Sequence, residues 1–282
     1  MMFIRLHLPA RNAGAQAHLI LQMASPREDN LREIATVPGA LSQKFRWQAE
    51  HAIIRTMSAA RKRSASKASR QSVRSESGAR FQNLAASLAE IGRSFYQRGW
   101  VFGTSGNFSA VVSERPLRLA ITSTGLDKGA LDADQFLEID ETARVVRGNG
   151  LPSAETGLHL AIVRTRGAGA VLHTHSLWST LLSDVFSGDG AVSLEGFEML
   201  KGLRGIHTHE HREILPVLQN SQDISQLAGQ VRSLLKRDPA IHGFLLRRHG
   251  LYTWGKDLAE AKRHVEILEF LLEILGRSRN GV

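Results

Sequence analysis

From Arg80 to Arg277, short apolar runs of strand length alternate with stretches of helical period, and no Pro-, Gly- or Ser-rich linker divides them. Alternation of this kind over roughly 200 residues is the pattern of one α/β domain. FQNLAASLAEIGRSFYQRG sets Phe81, Leu84, Leu88, Ile91 and Phe95 at helical spacing and stops at Gly99. LRLAITSTG, DQFLEID and GAVLHTH are predicted strands, and AETGLHLAIVRTR is a predicted helix with Ser153 as its N-cap. EILPVL and HGFLLRRHGLYTWG follow as later strands. The last helix opens on Asp257 and carries Leu258, Ala261, Val265, Leu268, Leu272 and Leu275 as one apolar stripe.

The region before this domain differs in kind. SAARKRSASKASRQSVRSESG, residues 58 to 78, has Val73 as its only large aliphatic residue, too little to offset chain entropy, and is expected to be a disordered linker. Upstream residues resemble either a weak transit peptide or a reading frame extended beyond a start at Met57. Residues 1 to 78 are expected to form a basic extension and 79 to 282 the folded domain. The net charge of +9 is concentrated in the extension: it holds 13 Lys/Arg against 5 Asp/Glu, the remainder 23 against 22. A domain near neutrality gives no electrostatic reason to expect nucleic acid, although the extension could bind polyanions weakly. No apolar run reaches the ~18 residues a bilayer span needs, so a soluble, cytoplasmic protein is expected.

The chain has no cysteine, so any transition metal must be held by nitrogen and oxygen. Two histidine clusters qualify. In a strand, His173 and His175 of HTHS share one face while Thr174 takes the other, and His249 of RRHG is a distant third ligand. His207, His209 and His211 also alternate and could supply three ligands from one strand. Spacing alone does not choose between them. His159, His242 and His264 are expected to pack or to sit in solvent.

GTSGNFS (103 to 109) and TSTGLDK (122 to 128) join glycines to hydroxyl and amide donors, and the second adds Lys128. Two such turns could enclose a phosphate, yet the same residues build ordinary turns. Neither a P-loop nor a GxGxxG fingerprint is present.

In order, GTSGNFS, TSTGLDK, PSAET, HTHS and RRHG resemble the class II aldolase/adducin superfamily over about residues 80 to 277. Within it, LEGFEMLKGL, THEH, LPVLQNSQDI and RRHGLYTWG resemble the methylthioribulose-1-phosphate dehydratase branch. The resemblance implies a three-layer α/β/α domain with a central mixed sheet, assembled as a homotetramer with sites near subunit interfaces. It implies one zinc ion per subunit on His173, His175 and His249, leaving the 207 to 211 cluster as a signature near the site. Glu198 takes the family's acid/base position. Glu155 takes the metal-proximal carboxylate position of the aldolase branch, with a solvated carboxylate as its alternative, as for Glu195. Phosphate is implied on Thr104, Gly106, Asn107, Thr124, Gly125 and Ser153, with Lys128 adding charge; Ala154 stands where the aldolases have a second serine.

The implied reaction converts 5-methylthioribulose 1-phosphate to 2,3-diketo-5-methylthiopentyl 1-phosphate in methionine salvage. Zinc on three neutral imidazoles keeps its full charge to stabilise the developing oxyanion, and Glu198 delivers a proton to the leaving hydroxide. The alternatives are a sugar-phosphate aldolase of the fuculose/rhamnulose type, which cleaves the bond between carbons 3 and 4, and a non-catalytic adducin-like module.

Overall fold

The computed structural model describes residues 76 to 279. The expected basic extension falls almost wholly outside the described residues. At the boundary, residues 76 to 78 are already helical, inside the stretch expected to be linker. There Arg147 reaches over the Phe81 ring, 5.3 Å from its centroid, holding the start of this helix against the sheet edge.

The first helix, α1, covers residues 76 to 97. β1 (Asn107–Glu114), β2 (Leu117–Thr122), β3 (Phe136–Asp140) and β4 (Val145–Arg147) form a meander. Then come α2 (Thr156–Arg166), β5 (Ala170–Thr174), α3 (Leu177–Val185), β6 (Ala191–Glu195), β7 (Arg212–Leu218), α4 (Ile224–Arg237), β8 (Gly243–Leu246), β9 (Gly250–Gly255) and α5 (Leu258–Arg279). The strands make one nine-stranded sheet in the order β4-β3-β2-β1-β5-β9-β8-β7-β6. It is mixed, with β7 and β8 parallel and the other pairs antiparallel.

Period-two alternation sends successive side chains to two helical layers. Val171, Tyr252, Trp254, Phe244 and Leu246 meet α2 and α4 on one face. Ala170 and Leu172 meet α1 and α5 on the other, and Leu245 and Leu251 meet α3 and α5 there. The three-layer α/β/α architecture is therefore as expected. Each fully buried Leu in these layers contributes roughly 1.5–3 kcal/mol.

Two caps separate expectation from outcome. Asp257 does cap α5, its Oδ1 accepting from the Glu260 N–H at 2.8 Å. Ser153 does not cap α2: the helix begins two residues later, after Glu155, and the Ser153 hydroxyl accepts from the Glu155 N–H at 3.3 Å. The Ser153 carbonyl takes the Thr156 N–H and hydroxyl, closing a turn ahead of the helix.

α5 also carries a buried acid. Glu269 accepts the Thr174 hydroxyl on one oxygen and the Ser176 hydroxyl on the other at 2.5 Å. Burial pushes its pKa up to about 7, against the lowering effect of those two bonds. An acid whose folded pKa exceeds its unfolded value stabilises most below the unfolded value, and that contribution is lost as pH rises through 7. Glu269→Gln is thus expected to flatten the pH dependence of the unfolding midpoint, the variant gaining on the wild type between pH 5 and pH 8 by a few kcal/mol, about 1.4 per pK unit. Thermal melts at the two pH values measure it; an unchanged difference would mean that this carboxyl is not raised in the folded protein.

Candidate metal centre and anion pocket

The end of β5 fixes the first two imidazoles. His173 pairs with Asn107 of β1 and Tyr252 of β9, so its strand is held on both sides. His173 faces the α2/α4 layer, where its ring stacks on Tyr252 at 3.8 Å, while Thr174 turns to Glu269 in the opposite layer. His175 continues on the His173 side. The third ring arrives from the turn between β8 and β9: Arg248 adopts a left-handed conformation at φ 54° and swings His249 toward β5. Gly250 follows because a Cβ there would stand 1.9 Å from the Thr174 carbonyl oxygen. Arg247 and Arg248 beside His249 both bind Asp184, at 2.8 and 2.9 Å.

The three Nε2 atoms converge: 2.7 Å between His175 and His173, 3.2 Å between His173 and His249, and 3.0 Å between His249 and His175. His173 donates from Nδ1 to the Leu251 carbonyl at 2.9 Å, and His249 Nδ1 lies 3.3 Å from Asn220 Oδ1. Those acceptors put the proton on Nδ1 and leave the Nε2 lone pair facing inward, the tautomer a metal ligand requires. Burial lowers the His173 pKa to about 3, and burial with the adjacent His173 and His249 rings lowers His175 to about 2. Neutral rings with lone pairs aimed at one point repel one another unless a cation sits between them. Glu155 joins them, Oε1 3.1 Å from His249 Nε2 and Oε2 3.5 Å from His173 Nε2. Its burial favours the neutral acid, but His173, His249 and the Asn107 amide outweigh that and lower its pKa. One donor atom from each of these four residues falls within 4.8 Å of the others, so the set can hold a metal ion. Of the two readings of Glu155, the solvated one is excluded by its 15% side-chain exposure.

A pocket of about 300 Å³ opens beside the imidazoles. Thr104, Gly106, Asn107, Thr124, Gly125, Ser153 and Lys128 all line it, with Glu155, His175 and His249 at the metal end. Gly106 has φ 74°, and a Cβ there would meet the His173 carbonyl oxygen at 2.8 Å, so only glycine lets this turn lie on β5. Lys128 is no surface lysine: it is 1% exposed and donates from Nζ to the Thr104 carbonyl at 3.1 Å and the Leu126 carbonyl at 2.8 Å. It ties the two glycine turns together. Burial lowers its pKa to about 8, opposed by Asp127, so it is predominantly charged at pH 7. Asn107 faces the pocket, but its side chain is committed to Glu155 and His159.

Other lining residues escaped the sequence analysis. Ser123 has a buried hydroxyl with no hydrogen-bond partner, and Asn220, Ser221 and Gln222 follow β7 into the pocket. The only signal for the last three was their place in LPVLQNSQDI, which says nothing about which wall they form.

Glu198 is not part of this pocket in its own chain. β7 reaches the imidazole end of the sheet at Leu218, beside Leu246 of β8, whereas β6 ends at Glu195 opposite Arg212, at the other end of β7. Six strand residues separate these ends, about 20 Å. Glu198 lies past Glu195 in a 3-10 turn, 73% exposed, bound to Lys201 at 2.7 Å with His209 3.8 Å away. The His207/His209/His211 cluster shares that remote end. It is no strand: residues 206 to 211 are irregular, with a turn at 209 and 210, so strand alternation does not align the three rings, and His211 binds Glu213 at 2.9 Å. Glu195 pairs with Arg212 in solvent. His159, His242 and His264 are all packed and hydrogen-bonded rather than solvated. Among the described residues no helix is long and apolar enough to cross a membrane.

Comparison with known proteins agrees with this geometry. Over 204 residues the chain is 43% identical to the methylthioribulose-1-phosphate dehydratase of Sorangium cellulosum, covering 72% of this chain and 95% of that protein. Over 195 residues it is 47% identical to the enzyme of that name from Methylococcus capsulatus, covering 69% and 93%. Among solved structures, a putative aldolase/epimerase/decarboxylase from Escherichia coli superposes with a TM-score of 0.56 at 27% identity, covering 69% of this chain and 88% of that one. An L-fuculose 1-phosphate aldolase, at 22% identity and TM-score 0.59 over 70% and 87%, shares the fold. The model of the class II aldolase and adducin N-terminal domain matches residues 86–275, and the chain belongs to that family.

Proposed function

We propose that this chain is a zinc-dependent hydro-lyase that dehydrates 5-methylthioribulose 1-phosphate to 2,3-diketo-5-methylthiopentyl 1-phosphate, acting in methionine salvage in the cytoplasm, with residues 79 to 282 as the catalytic domain. The observation that carries the reading is the convergence of three imidazoles and one carboxylate beside a pocket lined by two glycine turns and Lys128, in a chain over 40% identical to dehydratases along nearly their whole length. His173, His175 and His249 would hold the ion. When bound, it supplies Lewis-acid stabilisation of negative charge on the substrate's carbonyl and neighbouring hydroxyl oxygens.

The protein's own groups supply position and protons. Thr104, Gly106, Asn107, Thr124, Gly125 and Ser153 surround the phosphate, and Lys128 adds charge while bracing both turns. This remote binding energy orients carbon 3 toward Glu155, which is the nearest carboxylate and takes its proton. The carbon 4 hydroxyl leaves as water on receiving a proton from Glu198, the resulting enol ketonises to the diketone, and Glu155 then gives its proton to solvent while Glu198 takes one back, so that both carboxyls end as they began. Because Glu198 stands at the far end of its own sheet, a neighbouring copy in a homo-oligomer of the tetrameric kind must present it.

Substrate specificity is tested directly. Zinc-loaded protein given 5-methylthioribulose 1-phosphate is expected to form the diketone, and given fuculose or rhamnulose 1-phosphate to form no dihydroxyacetone phosphate; the reverse outcome means aldol cleavage. Lys128→Met is expected to raise KM for the phosphorylated substrate at least about tenfold, the scale of one lost charge-assisted bond, with zinc content unchanged. Steady-state kinetics with metal analysis checks it, and an unchanged KM removes Lys128 from phosphate binding.

A further inference from the structure

The proposed chemistry leaves the buried imidazole of His159, beside the site, without a task. His159 lies on α2 one helical turn past Glu155 and is fully buried. Its Nε2 contacts Asn107 Oδ1, and its Nδ1 is 2.7 Å from the Ser109 hydroxyl. Asn107 in turn gives Nδ2 to Glu155 Oε2 at 2.5 Å. We infer that His159 is a positioning residue which, through Asn107, holds the Glu155 carboxylate aimed at the three imidazoles; this rests on the reading that Glu155 acts at that centre.

Chemistry fixes each link in turn. An ionised carboxylate only accepts, so the Asn107 amide must turn its NH₂ to Glu155 and its oxygen to His159. That oxygen also only accepts, so the proton of His159 sits on Nε2. Nδ1 is left with a lone pair, and the Ser109 hydroxyl donates to it. Rotating the amide by half a turn would set oxygen against carboxylate and NH₂ against a ring N–H, two repulsions at once. His159 therefore allows one orientation of Asn107, and Asn107 one placement of Glu155.

The anchors are rigid. Ser109 is in register with Ile121 and Val171 in the middle of the sheet. The His159 ring meets Tyr252 edge-on at 6.1 Å, and Tyr252 is stacked on His173. Glu155 makes no capping bond to its own helix, so its carboxylate is available to the relay. Burial lowers the His159 pKa to about 4, with Glu155 opposing, which keeps the ring in the neutral form the relay needs.

Three substitutions in the zinc-loaded enzyme test this. His159→Leu is expected to lower kcat on 5-methylthioribulose 1-phosphate about 10- to 100-fold, the usual effect of losing a group that orients an active-site residue, with KM within about twofold and zinc retained. His159→Gln, whose amide nitrogen reaches the place of Nε2, is expected to recover most of kcat. His159→Asn reaches only the place of Nδ1 and is expected not to. Gln and Asn behaving alike, or Leu turning over at the wild-type rate, would overturn the relay. The double variant Glu155→Gln/His159→Leu is expected to be no slower than Glu155→Gln alone, since both changes act on one group; multiplied losses would overturn it.

A readout independent of activity separates this inference from the proposed function. In ¹⁵N-labelled metal-free protein, the His159 ring is expected to carry its proton on Nε2, and the Asn107 side-chain amide signals are expected to move in Glu155→Gln. A proton on Nδ1, or amide signals indifferent to Glu155→Gln, overturns the relay even in an active enzyme. If the wild type dehydrates nothing while both signatures are present, the relay stands and the substrate assignment falls.

Discussion

His173→Ala is expected to leave the protein folded but without stoichiometric metal and without measurable turnover. His173 is the fully buried member of the cage, its ring fixed by the Leu251 carbonyl on one edge and by Tyr252 on one face. Alanine leaves two imidazoles, one short of the three protein ligands plus an open position that catalytic zinc sites ordinarily use, because Glu155 is the carboxylate that takes the carbon 3 proton. Metal analysis after dialysis should find well below about 0.1 zinc per chain, and diketone formation should fall by at least about 10³-fold, since a Lewis acid contributes several kcal/mol. His209→Ala is the matched control for metal, because residues 207 to 211 are remote from the cage of their own chain and the variant should keep stoichiometric zinc. A His173→Ala protein that retains one tightly held zinc and normal turnover would sink the ligand set.

Glu198→Gln should do the opposite for metal and nearly the same for rate. Zinc content is expected to stay at the wild-type level, while kcat falls about 10²- to 10⁴-fold, the usual contribution of a positioned acid/base group. The location of Glu198 makes a sharper test available. If each site draws its imidazoles from one chain and Glu198 from another, His173→Ala and Glu198→Gln chains are each inactive alone but complementary when mixed. Random co-assembly from equal amounts should restore about a quarter of wild-type activity, since a heterologous contact pairs an intact cage with an intact Glu198 in one case in four. Co-expression with differently tagged chains and a diketone assay measures this. No recovery in verified mixed oligomers would mean that Glu198 serves no neighbouring site.

Much of the fold was legible. α5 followed from its stripe and the Asp257 cap, and β5 from an apolar run whose alternation correctly placed His173 and His175 together with Thr174 opposed. Period two and period 3.6 are local properties of the backbone, so a single stretch reveals them. Boundaries set by competing local bonds were less legible. The Ser153 hydroxyl is spent on the Glu155 N–H in a turn before α2, an arrangement as compatible with PSAET as a cap.

The amino-acid sequence by itself determined the kind of fold, the absence of thiolate ligands, the pairing of two imidazoles on one strand face and the presence of two turns rich in glycine and hydroxyl residues. Only the tertiary structure decided which histidines meet: β9 lies beside β5, so His249 joins His175 across 74 residues, while the 207 to 211 cluster is left at the other end of the sheet. It also decided that Lys128 and His159 are interior groups with fixed partners and that Glu198 faces away from its own pocket. The reason is physical: periodicity states which way a side chain points, but strand order and register state what it points at, and those are settled by burying the whole sheet between its two helical layers.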